Sequence, residues 1–120
     1  MIRQRLGKDL LFFDGGMGTL LQEKGLAPGE LPETWNLTHS EEIYKIHRQY
    51  IEAGSDIILT NTFGANALKF HDDSCSLEEI IKAAVSHVKK AEREALLQTG
   101  DERKIYTALD VGPTGKLLKP

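Results

Sequence analysis

The sequence predicts an α/β fold with parallel strands, and three features carry that prediction. Apolar runs at Leu10-Leu11-Phe12-Phe13, Ile57-Ile58-Leu59 and Ile105-Tyr106-Thr107-Ala108-Leu109 each stop at a polar group: Asp14-Gly15-Gly16, Thr60-Asn61-Thr62 and Asp110. Stretches with helical periodicity separate the runs, an order that favours crossover connections and parallel pairing. Parallel strands put all three polar endings on one edge, where open α/β sheets and barrels bind their ligands.

Residues 3 to 7 read as a short helical turn. Leu10 to Phe13 has the unbroken apolar character of a strand covered on both faces. Asp14-Gly15-Gly16 turns the chain, and Met17 to Glu23 reads as a short helix ending near Gly25. Residues 26 to 37, with Pro28, Gly29, Pro32 and Trp35, read as a long loop over one end of the sheet. Thr38 and Glu41 have capping-box spacing, so a helix should start there. Ile43, Ile46, His47, Tyr50 and Ile51 form one stripe of it, and Gly54 supplies a left-handed stop before the next strand. Ser76 and Glu79 repeat the capping spacing. Ile80, Ile81, Ala84, Val85, Val88, Ala91 and Ala95 give the following helix an apolar face that runs to about Gln98, and Gly100 ends it.

Composition is that of an ordinary soluble chain: 120 residues, 40% hydrophobic, with a formal net charge of -3. Scattered Lys and Arg make no basic stripe for nucleic acid. The start Met1-Ile2-Arg3-Gln4-Arg5-Leu6 lacks the apolar stretch of a secretory signal, and no run approaches the ~18 apolar residues of a membrane span, so a cytoplasmic location is expected. Cys75 is the single cysteine, which excludes an internal disulfide and any zinc site built from several cysteines of this chain.

No repeat, linker or low-complexity segment divides residues 1–120, which read as one piece of one domain. Three strands cannot close a barrel, and an open three-stranded sheet leaves two edges of unpaired backbone. The expectation is an amino-terminal portion of a larger domain, or a half that assembles with the remainder or with a second copy.

Four motifs occur in linked order: Asp14-Gly15-Gly16-Met17-Gly18-Thr19, Pro32-Glu33-Thr34-Trp35-Asn36, the stretch from Ile46 to Ile58, and Thr60-Asn61-Thr62-Phe63-Gly64-Ala65-Asn66. Together they resemble the homocysteine S-methyltransferase domain over roughly residues 10 to 118. Gly64-Ala65-Asn66 and Asp110-Val111-Gly112-Pro113-Thr114-Gly115 resemble most the cobalamin-dependent methionine synthases within it. The resemblance implies a TIM-type (β/α)8 barrel, of which this chain would supply about the first three βα units. It implies homocysteine as substrate and a zinc ion, held by three cysteines on later strands, that presents the homocysteine thiolate to a methyl donor. Cobalamin and methyltetrahydrofolate would bind other modules. With Cys75 alone, the isolated chain is expected to transfer no methyl group.

Asp14 is the leading candidate for substrate binding: a carboxylate at a strand end, before two glycines that let backbone approach a ligand, suits an ammonium group. The resemblance implies that role; capping of the next helix is the structural alternative. Gly15 and Gly16 belong to the same turn, and with Gly18 they match neither a Walker loop nor a dinucleotide fingerprint. Asn61, Thr62 and Phe63 offer an amide, a hydroxyl and a ring to a small polar substrate, with loop hydrogen bonding as the alternative. Glu33 lies in the covering loop, where the resemblance implies that it helps cover substrate and where Trp35 reads as packing, and Asp110 and Gly112 end the third strand and are expected to line the pocket. His71, Asp72, Asp73 and Cys75 read as a solvated turn rather than a metal site. His47 reads as a packed, hydrogen-bonded histidine, while His39 and His87 carry no signal.

Two other functions fit the residues less specifically. One is a noncatalytic half-barrel that binds or oligomerises through strand edges, and the other is a different barrel enzyme using the same strand-end logic.

Overall fold

A computed structural model describes residues 1–68, 70 and 74–118. Its elements are α1 (Ile2–Arg5), α2 (Gly18–Glu23), a 3-10 turn (Pro32–Thr34), α3 (Trp35–Thr38), α4 (Ser40–Glu52), β1 (Ile57–Leu59), α5 (Leu77–Thr99) and β2 (Tyr106–Ala108). β1 and β2 pair in parallel, with Ile57 opposite Tyr106 and Leu59 opposite Ala108. Residues 12–14 run along the other side of β1 through a parallel bridge between Phe13 and Ile57. The order across the array is therefore residues 12–14, β1, β2, with every direction parallel, as the apolar runs and helical spacers predict.

Asp56 fastens the outer segment. Its backbone N–H donates to the Phe12 carbonyl at 2.7 Å, and its carboxylate accepts the Phe12 N–H at 3.0 Å. The predicted four-residue strand Leu10–Phe13 is thus reduced to a short paired segment. The expectation that its apolar side chains are covered on both faces also fails: Leu10, Phe12 and Phe13 are 78%, 54% and 60% exposed. The segment has β1 on one side only, and the helices pack beneath β1 and β2 instead.

Helix packing follows the predicted stripes. Ile51 of α4 and Val88, Ala91 and Ala95 of α5 enclose Ile58 and Ile105. A second cluster joins Ile43 and Ile46 to Leu21, Leu26 and Trp35, which anchors the long loop. Small alanines on α5 let it lie close to the sheet, and burying each large aliphatic side chain contributes about 1.5–3 kcal/mol.

Helix ends are held largely as read. Ser76 Oγ accepts the Glu79 N–H at 3.1 Å, and Gly100 closes α5 in the left-handed region at φ 67°. Gly54 follows α4 at φ 109°. Arg103 adds a cap that no sequence pattern announces: its guanidinium donates to the Ile51 carbonyl at 2.7 Å and the Ser55 carbonyl at 3.2 Å. The start of α4 differs from expectation. Thr38 Oγ1 donates to the Thr34 carbonyl at 3.2 Å and so closes α3, leaving His39 as the residue before α4. The capping box at Thr38 and Glu41 does not form because Thr38 is itself the last residue of α3 and His39 takes the position before α4, and the loop over residues 26 to 37 contains a 3-10 turn and the first residues of α3.

His47 is 0% exposed, as a packed histidine should be, but neither ring nitrogen has a hydrogen-bond partner among the described residues. Burial, with a smaller contribution from the nearby His87, lowers its pKa to about 4. The unfolded chain therefore takes up a proton near pH 6.5 that the folded chain refuses until about pH 4, so the stability held above pH 6.5 is lost as pH falls between them. In His47→Leu this loss, at most about 3 kcal/mol, should vanish from urea-unfolding curves measured between pH 4.5 and 7. An unchanged acid slope would show that His47 does not set it.

Candidate functional site

Parallel pairing brings the ends of residues 12–14, β1 and β2 to one rim, and a cavity of about 740 Å³ opens there. Asp14, Gly15 and Gly16 form one wall, Leu59, Thr60, Asn61, Phe63 and Gly64 a second, and Asp110 a third. Met17 and Gly18 at the start of α2, with Leu31, Pro32 and Glu33, complete the lining. Of the predicted site residues, Asp14, Gly15, Gly16, Glu33, Asn61, Phe63 and Asp110 therefore share one cavity. Thr62 does not line it.

Thr62 is 3% exposed, shares a 2.7 Å hydrogen bond with Thr60 Oγ1, and donates to the Asp110 carbonyl at 2.8 Å. Its hydroxyl braces the end of β1 against the end of β2. Beside it, the Gly112 N–H donates to the Phe63 carbonyl at 2.9 Å, so close that a Cβ on Gly112 would lie 2.5 Å from that oxygen. The close approach, rather than a ligand contact, accounts for glycine at this position.

Asp14 carries the electrostatics. One carboxylate oxygen accepts the Leu59 N–H at 3.2 Å, while the other is buried without a partner among the described residues. Burial raises its pKa to about 6; backbone hydrogen bonds oppose the rise, and the Asp110 charge adds to it. Gly15 lies against Tyr50, where a Cβ would come 2.8 Å from the hydroxyl, and that hydroxyl donates to the Gly16 carbonyl at 2.8 Å. Tyr50 therefore holds the turn from the α4 side, a role that its place on an apolar stripe conceals.

The covering loop is tied to the end of β1. Glu33, 4% exposed, accepts the Gly64 N–H at 2.6 Å, and Asn61 Nδ2 donates to the Pro32 carbonyl at 2.9 Å. Trp35 packs in the core as expected, with its indole N–H donating to Glu30 at 2.9 Å. Asn36, which in the sequence stands out only as part of a motif, is 1% exposed and pairs with Asn61. Among the described residues no basic side chain lines the cavity, whose ionisable groups are Asp14, Glu33 and Asp110.

Among the described residues, no three His, Cys, Asp or Glu side chains are grouped to hold a metal ion. The combination His71, Asp72, Asp73 and Cys75 lies mostly outside the described residues; Cys75 itself is partly exposed in the turn before α5. Among the described residues no helix is long and apolar enough to cross a membrane.

Parallel strands, helical crossovers and a cavity at the strand ends define the first part of a TIM-type barrel. A family model described as homocysteine S-methyltransferase matches residues 11–120, and the chain belongs to that family. The fold is similar to crystal structures of the homocysteine methyltransferase MmuM from Escherichia coli. The metallated form matches with TM-score 0.80 at 24% identity, covering 95% of this chain and 42% of that one. The oxidised form gives 0.79 at 24% identity, with 95% and 41% covered, and the apo form 0.67 at 22%, with 86% and 36% covered. The chain thus spans about two fifths of the length of the first structures it matches.

An ionised Asp14 is costly in the folded chain. Because its folded pKa is raised, protonation stabilises the fold, and that contribution is lost as pH rises from about 4 through about 6. Asp14→Asn should therefore unfold at the same or a higher temperature than the parent at pH 7.5, with the advantage disappearing at pH 4; thermal melts at both values measure it. A variant less stable at pH 7.5 would show that the carboxylate is compensated.

Proposed function

We propose that residues 1–120 form the amino-terminal, substrate-binding portion of a homocysteine S-methyltransferase barrel, of the methionine synthase type. Asp14 carries the reading: a carboxylate on the cavity wall, with one oxygen that has no partner among the described residues, is the complement of an amino-acid ammonium group. Asp110 adds negative potential nearby, and Glu33, Asn61, Gly15, Gly16 and Phe63 shape the space around it. Family membership supports homocysteine as the amino acid. The MmuM structures are those of a homocysteine methyltransferase, which agrees with that choice.

The zinc that the resemblance implies does not fit the donors present. Three cysteine ligands cannot come from a chain whose single cysteine is Cys75, so the donors for such an ion would have to lie outside these residues. The chain's own contribution is to bind and orient: to neutralise the ammonium, to exclude water with Leu31, Leu59 and Phe63, and to fix the pose with backbone and amide groups of the β1 end. Methionine synthase identity rests on Gly64-Ala65-Asn66 and the Asp110 to Gly115 segment, with cobalamin and methyltetrahydrofolate outside these residues.

A second reading, a noncatalytic half-barrel that pairs with another copy, is favoured by the exposed Phe12 and Phe13 beside β1. Size-exclusion chromatography separates the two: a defined, well-folded dimer supports the second reading.

Calorimetric titration at pH 7.5 tests the first. L-homocysteine should bind the chain, and Asp14→Asn should weaken binding at least tenfold, about 1.4 kcal/mol. 4-Mercaptobutyrate, which lacks the ammonium, should not distinguish the two proteins. The same protein, supplied with zinc, should form no methionine from methylcobalamin. Equal homocysteine affinity for both proteins would remove Asp14 from the site, and turnover would remove the inferred dependence on ligands outside the chain.

A further inference from the structure

We propose that Asn36 is a positioning residue for the cavity, acting through Asn61 and the Pro32-Glu33 wall, and that His87 on α5 sets its place. No ligand needs to touch either side chain. The proposal rests on the reading of the rim cavity as a substrate site.

Asn36 is 1% exposed and its polar groups are used on three sides. Its side-chain Nδ2 donates to the Asn61 carbonyl at 2.8 Å and, at 3.4 Å, to the Ile80 carbonyl in the first turn of α5. Its Oδ1 accepts from Asn61 Nδ2 at 3.1 Å, so the two amides clasp each other at the end of β1. His87 Nε2 lies 2.7 Å from the Asn36 carbonyl, which fixes Nε2 as the protonated nitrogen because a carbonyl can only accept.

The clasp is connected to the cavity. Asn61 Nδ2 also donates to the Pro32 carbonyl, and Glu33, next in sequence, receives the Gly64 N–H. The wall formed by Pro32 and Glu33 is therefore held at two points of the β1 end, and Asn36 orients the amide that makes the first of them. The Gly64 position shows how closely the wall is set: a Cβ there would lie 3.0 Å from Glu33 Oε1. A buried amide with this many partners admits one orientation, since reversing it would set two acceptors against each other.

Asn36→Asp keeps the shape but turns the Nδ2 donor into an acceptor facing the Asn61 and Ile80 carbonyls. Hydrogen–deuterium exchange of the full chain should then rise at least tenfold in residues 30–36 and 60–64 together, with the α4 and α5 core still protected. L-homocysteine affinity should fall at least tenfold. Should Asn36→Asp fail to fold, His87→Ala should raise exchange in the same two segments, and His87→Gln, which retains an N–H donor, should restore protection.

Exchange that rises in residues 30–36 while residues 60–64 stay protected would overturn the proposal. So would loosened segments with unchanged homocysteine affinity. A parent chain that binds no homocysteine but shows the coupled exchange would overturn the substrate reading and the cavity role with it, leaving a purely structural clasp. The exchange and binding arms therefore fail separately.

Discussion

The parallel register of residues 12–14, β1 and β2 is the constraint on which the site depends. An antiparallel pairing of any neighbour would send Asp14 or Asp110 to the far end of the sheet. Two crossovers enforce the parallel choice. α4 returns the chain beneath the sheet after the first segment, α5 does so after β1, and their apolar faces meet at Ile58 and Ile105. Strands of three residues make few ladder hydrogen bonds, so helix packing, rather than sheet length, holds the register. Asp56 then fixes the outer segment with both its backbone and its carboxylate.

The parts of this fold legible in the sequence are those decided by local chemistry. Ile57-Ile58-Leu59 becomes β1, Ser76 caps α5, Gly54 and Gly100 stop helices, and the α4 and α5 stripes face the core. Local patterns mislead where a tertiary partner competes. Thr38 and Glu41 have the spacing of a cap, but spacing does not reveal that Thr38 belongs to the end of α3, which leaves His39 before α4. An apolar run such as Leu10 to Phe13 predicts burial without saying what would cover it, and here only β1 lies alongside. The apolar stripe does place His47 in the core; the missing partners of its ring depend on neighbours that no local pattern encodes.

The site divides in the same way. A polar residue ending an apolar run is a visible signal, and it finds Asp14, Asn61 and Asp110. The same signal includes Thr62, because a polar residue just beyond a three-residue strand can face the cavity or hydrogen-bond the neighbouring strand end, and its type does not tell which. Thr60 lines it, and Thr62 turns to the Asp110 carbonyl. The roles of Asn36, visible only as part of a motif, and of His87, which carries no signal, stay hidden because each acts through a partner distant in sequence, 25 residues away for Asn36 and Asn61 and 51 for His87 and Asn36.

Asp14 and His47 respond to acid in opposite senses, and the difference separates the site from the scaffold. Both sit where burial disfavours charge, so both resist ionisation. For the histidine the neutral form is the one present at neutral pH, and the fold loses nothing there. For the carboxylate the neutral form is lost above about pH 6, so at neutral pH the folded chain carries a destabilising charge, with one oxygen unpartnered among the described residues. A cationic ligand reverses that cost: an ammonium beside Asp14 lowers its pKa, and the free energy that ionisation costs in the empty cavity becomes binding free energy. Below about pH 6 the same ligand has to displace a proton first. On the proposed reading, the ligand supplies the cation that no described residue places in this acidic cavity.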